Sequence, residues 1–402
     1  MFLLRLNYFY GRFIGVINFE IDMETGKAWI SRKATIYAAI VNTLIFGMVP
    51  LLINSQIWKV LLVQANRLHE HVFLVMMCMR ISCVFVTLLS RWWQRQRIVD
   101  LVCSYHRLSV RQPQLMRLTR NGFILKVISG TLTEGIHVAL GLYGLHDSLT
   151  PRMALSVFPL YVLMGLLNFI LAQFYFALLN IHGHYLLINQ DLRSILAETH
   201  LLEMDHCQRL RQLKSLALAT RLNSLARFQS QLQSLVERMT KIFGLQTLCM
   251  CKIFTITMIS GVYYIFSAFK YGNLNINWSS WYNLLVLCGV ISYIVDSYVT
   301  HSITSYLQDR HAETVELVAQ YSTFAQSLDE RLVIAVSDIL LCNPQKLTKS
   351  NCFQFESFQI QLTRNPLKLS VMGLFNLDRR NAITMLGSMI SYSLILIQYD
   401  IK

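Results

Sequence analysis

Seven stretches of this 402-residue chain stay apolar for about the length that crosses a bilayer: near 35–52, 71–90, 121–145, 153–180, 246–269, 281–303 and 381–400. A spanning helix needs roughly 20 mainly apolar residues. Away from water the backbone must satisfy its own polar groups, so helices or closed barrels are the available solutions. Runs this long read as helices. Arg80 weakens the second stretch, Lys126 and Glu134 the third, and the seventh carries one charge, Asp400, at its end. Composition agrees: 14% of residues are charged and 54% hydrophobic, against about 25% charged in a soluble domain. The predicted fold class is an all-α membrane protein with seven transmembrane helices.

The expected division is a cytoplasmic N-terminal segment (1–34), a seven-span domain (35–400), and two long cytoplasmic anchor segments within it (181–245 and 304–380). No internal repeat or low-complexity linker is visible. Arg5 and Arg12 interrupt the first apolar run and no small-residue cleavage site follows, so the mature chain is expected to begin at Met1.

The net charge of +14 raises the question of a nucleic-acid partner. Its distribution answers otherwise. Of the 36 Lys and Arg residues, 28 lie before span 1, between spans 2 and 3, between spans 4 and 5, and between spans 6 and 7. The other three loops hold only Lys59, Arg67, Arg152 and Lys270. Positive charge stays on the cytoplasmic side. The expected topology is therefore N-terminus inside and C-terminus outside, with no nucleic-acid partner. "RWWQRQR" (91–97) sets two tryptophans at an interface. Asn277-Trp278-Ser279, between spans 5 and 6, is a glycosylation acceptor pattern, with Asn277 as the site.

This topology argues against a G-protein-coupled receptor, the alternative seven-span class, whose N-terminus is outside. No acidic-Arg-Tyr triplet ends span 3 and no Asn-Pro-x-x-Tyr closes span 7. A transporter would show paired repeats and broken helices. Enzyme signatures, metal sites and cofactor motifs are not found, and no disulfide framework or zinc spacing emerges from the nine cysteines. Cys78, Cys83, Cys249, Cys251 and Cys288 are expected as free, buried thiols. His182 and His184, in "IHGHY", are expected as solvated cytoplasmic residues.

Along the seventh span, Asn381, Thr384, Ser388, Ser391, Ile395 and Gln398 step by three and four residues and so share one helical stripe. Five of the six are polar. Two readings compete. One is helix–helix packing with back-bonded hydroxyls. The other is a water-filled pore lined by this helix from several subunits. Gln398 favours the pore, because a primary amide is costly to bury unpaired. Ile395 is the apolar step, suited to closing a pore by dewetting.

"SYSLILIQY" (391–399) resembles the Thr-Tyr-(five residues, mostly apolar)-Gln-Phe motif that ends insect gustatory receptors, and "GLFNLD" (373–378) is similar to their approach to the last helix. Ser391 stands for Thr and Tyr399 for Phe. Ser393 occupies the position where sugar-sensing members usually carry Glu, which argues against a sweet ligand. The resemblance implies a ligand-gated, non-selective cation channel, assembled as a homo- or hetero-tetramer with other gustatory receptor subunits. The seventh helix of each subunit would line the pore, with Ile395, Gln398 and Tyr399 shaping the gate. It further implies a multi-pass protein of the plasma membrane, in dendrites of gustatory neurons, detecting small-molecule tastants. An odorant receptor subunit is the alternative within the superfamily.

The resemblance places a tastant pocket in the outer half of the bundle. Polar and aromatic candidates at that depth are Glu134 and His137 on span 3, Tyr263 and Tyr264 on span 5, and Trp281, Tyr282, Tyr293 and Asp296 on span 6. The structural reading is kept beside this one. Trp281 and Tyr282 would be belt anchors, and Glu134 would pair with Lys126, Arg80 or Lys252. A mostly apolar, aromatic pocket would suit hydrophobic bitter compounds. Leu213, Leu216, Leu222 and Leu225 recur at helical intervals, as in a bundle continuing spans 4 and 5 or a solvated coiled-coil-like face.

Overall fold

The computed structural model describes residues 2–22, 25–52, 67–110, 112, 114–144, 150–203, 208–271, 280–337 and 357–401. In chain order its elements are α1 (Phe2–Phe13), β1 (Glu20–Ile21), β2 (Ala28–Trp29), α2 (Arg32–Leu52), α3 (Arg67–Trp93), α4 (Arg95–Val110), α5 (Leu115–Gly144), α6 (Pro151–Glu203), α7 (Gln208–Tyr271), α8 (Ser280–Ser337), β3 (Ser370–Val371), β4 (Phe375–Asn376) and α9 (Arg379–Ile401). Seven of the described helices are long and apolar enough to cross a membrane: α2, α3, α5, α6, α7, α8 and α9. Each contains one of the seven stretches expected from sequence, so the all-α, seven-span fold class holds.

Helix α6 is the axis of the subunit, packing against α2, α5, α7 and α8. A helix apolar all round belongs inside, and 56% of the spanning window of α6 is buried, against 11% for α9. Pro151 opens α6 at a position whose N–H would have no intrahelical acceptor. A Cβ on Gly183 would sit 2.6 Å from Leu115 Cδ1. The missing side chain there lets α5 and α6 approach closely.

Three helices far outrun a bilayer. α6, α7 and α8 hold 53, 64 and 58 residues, or about 80 to 95 Å at 1.5 Å per residue. A hydrocarbon core takes only about 30 Å of that. The excess forms a second bundle. Leu222 and Leu225 are buried in it beside Leu192, Ile195 and Leu232, which decides for bundle packing there; the Leu213 and Leu216 side chains lie outside the described residues. Polar bridges cross it: Thr314 Oγ1 donates to Asn189 Oδ1 (2.6 Å) and Gln361 Nε2 to Gln229 Oε1 (3.0 Å). His184 is buried here rather than solvated, its Nδ1 3.2 Å from Gln112 Oε1. Ile181, His184, Tyr185 and Ile188 share the inward face of α6 by helical spacing, which overrides the polarity of the imidazole.

The N-terminal segment is a packed cap. Gly15, at φ 72°, ends α1 in the left-handed region, with the Val16 and Ile17 amides both 3.0 Å from Gly11 O. Val16, Ile17 and Phe19 are buried. Arg95 pins the cap by donating to Asn18 O and Thr35 Oγ1. Burial lowers the pKa of this guanidinium from its ordinary value. Of the cysteines, Cys83, Cys249 and Cys251 are buried as expected, whereas Cys78 and Cys288 are exposed on the single subunit. Their faces of α3 and α8 look outward.

"GLFNLD" acquires a mechanical reading. Met372 and Gly373 both have positive φ (52° and 75°) in a tight turn that pairs Val371 with Phe375. Asp378 Oδ1 then accepts the Asn381 amide at 2.8 Å, an N-cap three residues ahead. The turn and the cap together set where α9 begins.

Candidate functional site

Two features carry chemistry: the outward ridge of α9 and a cavity within the helical bundle. α9 packs mainly on α7, burying Met389 and Ser393. Thr384, Ser388, Ser391, Ile395 and Gln398 are exposed, and Asn381 is half-buried. At 100° per residue the ridge lies on the side away from Met389 and Ser393. Ser393, although polar, belongs to the packed face. The ridge hydroxyls bond back along the helix: Ser388 Oγ to Thr384 O and Ser391 Oγ to Gly387 O, both 3.0 Å. Each spends its proton on the backbone and keeps oxygen lone pairs outward. Ile395 is 58% exposed and Tyr399 72%. At the end of α9, Lys270 Nζ of α7 donates to Asp400 O at 2.6 Å and lies 3.6 Å from Asp400 Oδ2.

The cavity has a volume of about 80 Å³ and is walled by α3, α5, α6, α7 and α8, with Leu377 beneath. His137, Tyr293 and Asp296 line it, as do Arg80, Asn168, Phe254 and His301. Glu134 stands one partner back, accepting from Asn168 Nδ2. His137 Nδ1 is 2.7 Å from Thr133 O. Tyr293 stacks on Phe254, ring centres 5.8 Å apart at 30°. Tyr263 is fully buried and Trp281 is 74% exposed; neither lines the cavity. The Tyr264 and Tyr282 side chains, and Asn277, lie outside the described residues.

The wall itself contains one half of a buried ion pair. Lys126 Nζ of α5 donates to Asp296 Oδ1 (2.7 Å) and Oδ2 (2.8 Å) of α8, and to Thr300 Oγ1 (2.8 Å). Those bonds use all three ammonium protons. Ser129 Oγ adds a fourth bond, to Asp296 Oδ1 at 2.6 Å. The partner of Lys126 is thus Asp296, not Glu134, because α5 packs along α8 at this depth. Arg80 and Asn168 escaped the sequence reading. The rule that selected Glu134, an ionisable group inside a span, applies equally to Arg80. Asn168 carries no comparable signal.

A family model described as 7tm Chemosensory receptor matches residues 4–402. This chain belongs to that family. The receptor is 34% identical to gustatory receptor 59d of Drosophila melanogaster over 99% of its own length and 97% of the relative's. To gustatory receptor 36c of the same species it is 30% identical, over 100% and 98%. Among solved structures, the insect olfactory receptor OR5 of Machilis hrabei in complex with eugenol superposes with a TM-score of 0.62 at 11% identity, over 99% of this chain and 98% of that one. At that identity the likeness speaks for the fold, which the two share end to end. Seven candidate spans and this family make the receptor a multi-pass membrane protein.

Proposed function

We propose that this receptor is a gustatory receptor subunit, a ligand-gated, non-selective cation channel in which α9 of four subunits surrounds one pore. The observation that carries this reading is the outward exposure of the polar ridge. A row of hydroxyls with an amide, facing away from its own subunit within a spanning helix, needs water or a neighbour's polar surface. Ridges from several copies facing one axis meet that need and supply oxygens to a partly hydrated cation. Ile395 and Gln398, one turn apart, form the narrow rings, with Tyr399 beside them. The channel opens when a tastant in the cavity shifts the packing around α7, the helix on which α9 rests.

The N-terminus and the long helix extensions lie in the cytosol, by the distribution of Lys and Arg, and α9 ends outside. Full-length relatives at 28–34% identity bear gustatory receptor names, which favours that type over an odorant receptor subunit. The absence of Glu at Ser393 favours aversive over sweet tastants. The receptor acts in gustatory neurons with related subunits as partners. Agonist-evoked currents in cells expressing the receptor, alone or with related subunits, test the assignment. Gln398→Ala is expected to change relative cation permeability and pore block; unchanged values for both would remove α9 from the pore.

A further inference from the structure

Arg80 occupies an unusual position in the cavity wall. It projects from a spanning helix, where an unpaired charge is costly. Its described hydrogen bonds are Nη2 to Thr257 Oγ1 at 3.1 Å and Nη1 to Met164 Sδ at 3.7 Å, both to neutral acceptors. A guanidinium carries five N–H donors, so most of its capacity is uncommitted there. The carboxylates of the region are engaged elsewhere. Asp296 holds Lys126 and Ser129, and Glu134 accepts from Asn168. Among the described residues, Arg80 forms no ion pair with either.

The rest of the wall suits a flat apolar body. Phe254 and Tyr293 lie nearly parallel, His137 meets Tyr293 edge-on at 6.3 Å, and Met164, Leu167 and Leu171 complete an apolar side. We propose that the cavity recognises a small aromatic carboxylate, its carboxylate held by the Arg80 fork and its ring beside Phe254 and Tyr293. The planar guanidinium matches a carboxylate through two parallel bonds, a geometry that no neutral oxygen of the wall provides. The ligand would take up the guanidinium donors that Thr257 and Met164 leave open, at a cation whose neighbouring carboxylates make no direct pair with it. This inference rests on the ligand-gated reading above and narrows it from hydrophobic compounds at large to organic anions.

The test compares two acids, benzoate and cinnamate, with their neutral isosteres, benzamide and cinnamamide. The full-length receptor in nanodiscs is titrated with each at neutral pH, with binding read by thermal stabilisation and, separately, agonist current recorded in cells. Acids are expected to bind about tenfold or more tightly than the amides, as a lost charge-assisted pair implies. Arg80→Gln is expected to abolish that difference, the acids losing about tenfold more affinity than the amides; Arg80→Lys, which keeps the charge and loses the fork, is expected to retain part of it. Equal binding of acids and amides to the unmodified receptor, or binding by neither acid, overturns the proposal without any variant having to fold. An unchanged acid preference in Arg80→Gln overturns it too. Acid binding without current at any ligand would defeat the channel reading and leave anion recognition standing. Current from neutral compounds without acid preference would do the reverse.

Discussion

Lys126→Met leaves the Asp296 carboxylate in a spanning region with its cation gone. Lys126 and Asp296 side chains are 3% and 10% exposed, so water does not replace what is lost. Three bonds of 2.7 to 2.8 Å vanish together, and Ser129 alone still donates to the carboxylate. Removing one member of a buried pair costs about 3–5 kcal/mol, mostly as the penalty on the stranded charge. An ordinary interhelical hydrogen bond in a membrane is worth about 0.6 kcal/mol. The two cases are therefore distinguishable. The double variant Lys126→Met/Asp296→Leu removes both charges and strands neither hydroxyl. Thr300 Oγ1 already donates to the backbone oxygen of residue 296 (2.7 Å), and Ser129 Oγ has the oxygen of residue 126 at 3.2 Å. It should recover to within about 1–2 kcal/mol of the unmodified receptor, since an apolar pair of similar volume is often near neutral. Equilibrium unfolding in bicelles, without ligand, reads all four corners of the cycle. A cost below about 1 kcal/mol for Lys126→Met, or a double variant as unstable as the two singles summed, would refute the reasoning.

Three other perturbations have expected outcomes. Gly26→Ala should destabilise the N-terminal cap by about 1–3 kcal/mol, because Gly26 has φ 63° and an added Cβ would meet the His106 ring at 2.0 Å; protease sensitivity of the 14–31 segment reads it, and no increase would speak against the strain. Arg95→Met should loosen the same cap by about 2 kcal/mol through loss of its bonds to Asn18 and Thr35, seen as faster amide hydrogen exchange at residues 16–20; unchanged exchange would show that the guanidinium pins nothing. Lys270→Met should free the end of α9, speeding hydrogen exchange at residues 396–401 by about fivefold, the effect of about 1 kcal/mol for a partly exposed pair. Slower or equal exchange would count against a tether.

The span count was legible because it depends on local apolarity alone: each of the seven stretches reappears inside one helix. The ridge of α9 was legible because helical period maps sequence onto a face. Partnership was not. Lys126 had Glu134 as a candidate eight residues on, yet bonds Asp296 on another helix, 170 positions away. His184 looked solvated from its polarity and is buried by its place on α6. In sequence Arg80 interrupts an apolar span and is one candidate partner for Glu134; with α6, α7 and α8 packed around it, it becomes part of a cavity wall.

Local sequence is enough to mark the segments apolar enough to span, the residues of the last helix that share a polar stripe, and the position of its cap. These follow from hydropathy, a period of 3.6 residues and turn chemistry, all set by neighbours along the chain. Which charges meet, which polar groups face the cavity, and which side of α9 is turned from its own subunit emerge only when the helices pack. Those depend on the depth and rotation at which separate helices pack, and the energy that selects them is shared among contacts far apart in the chain.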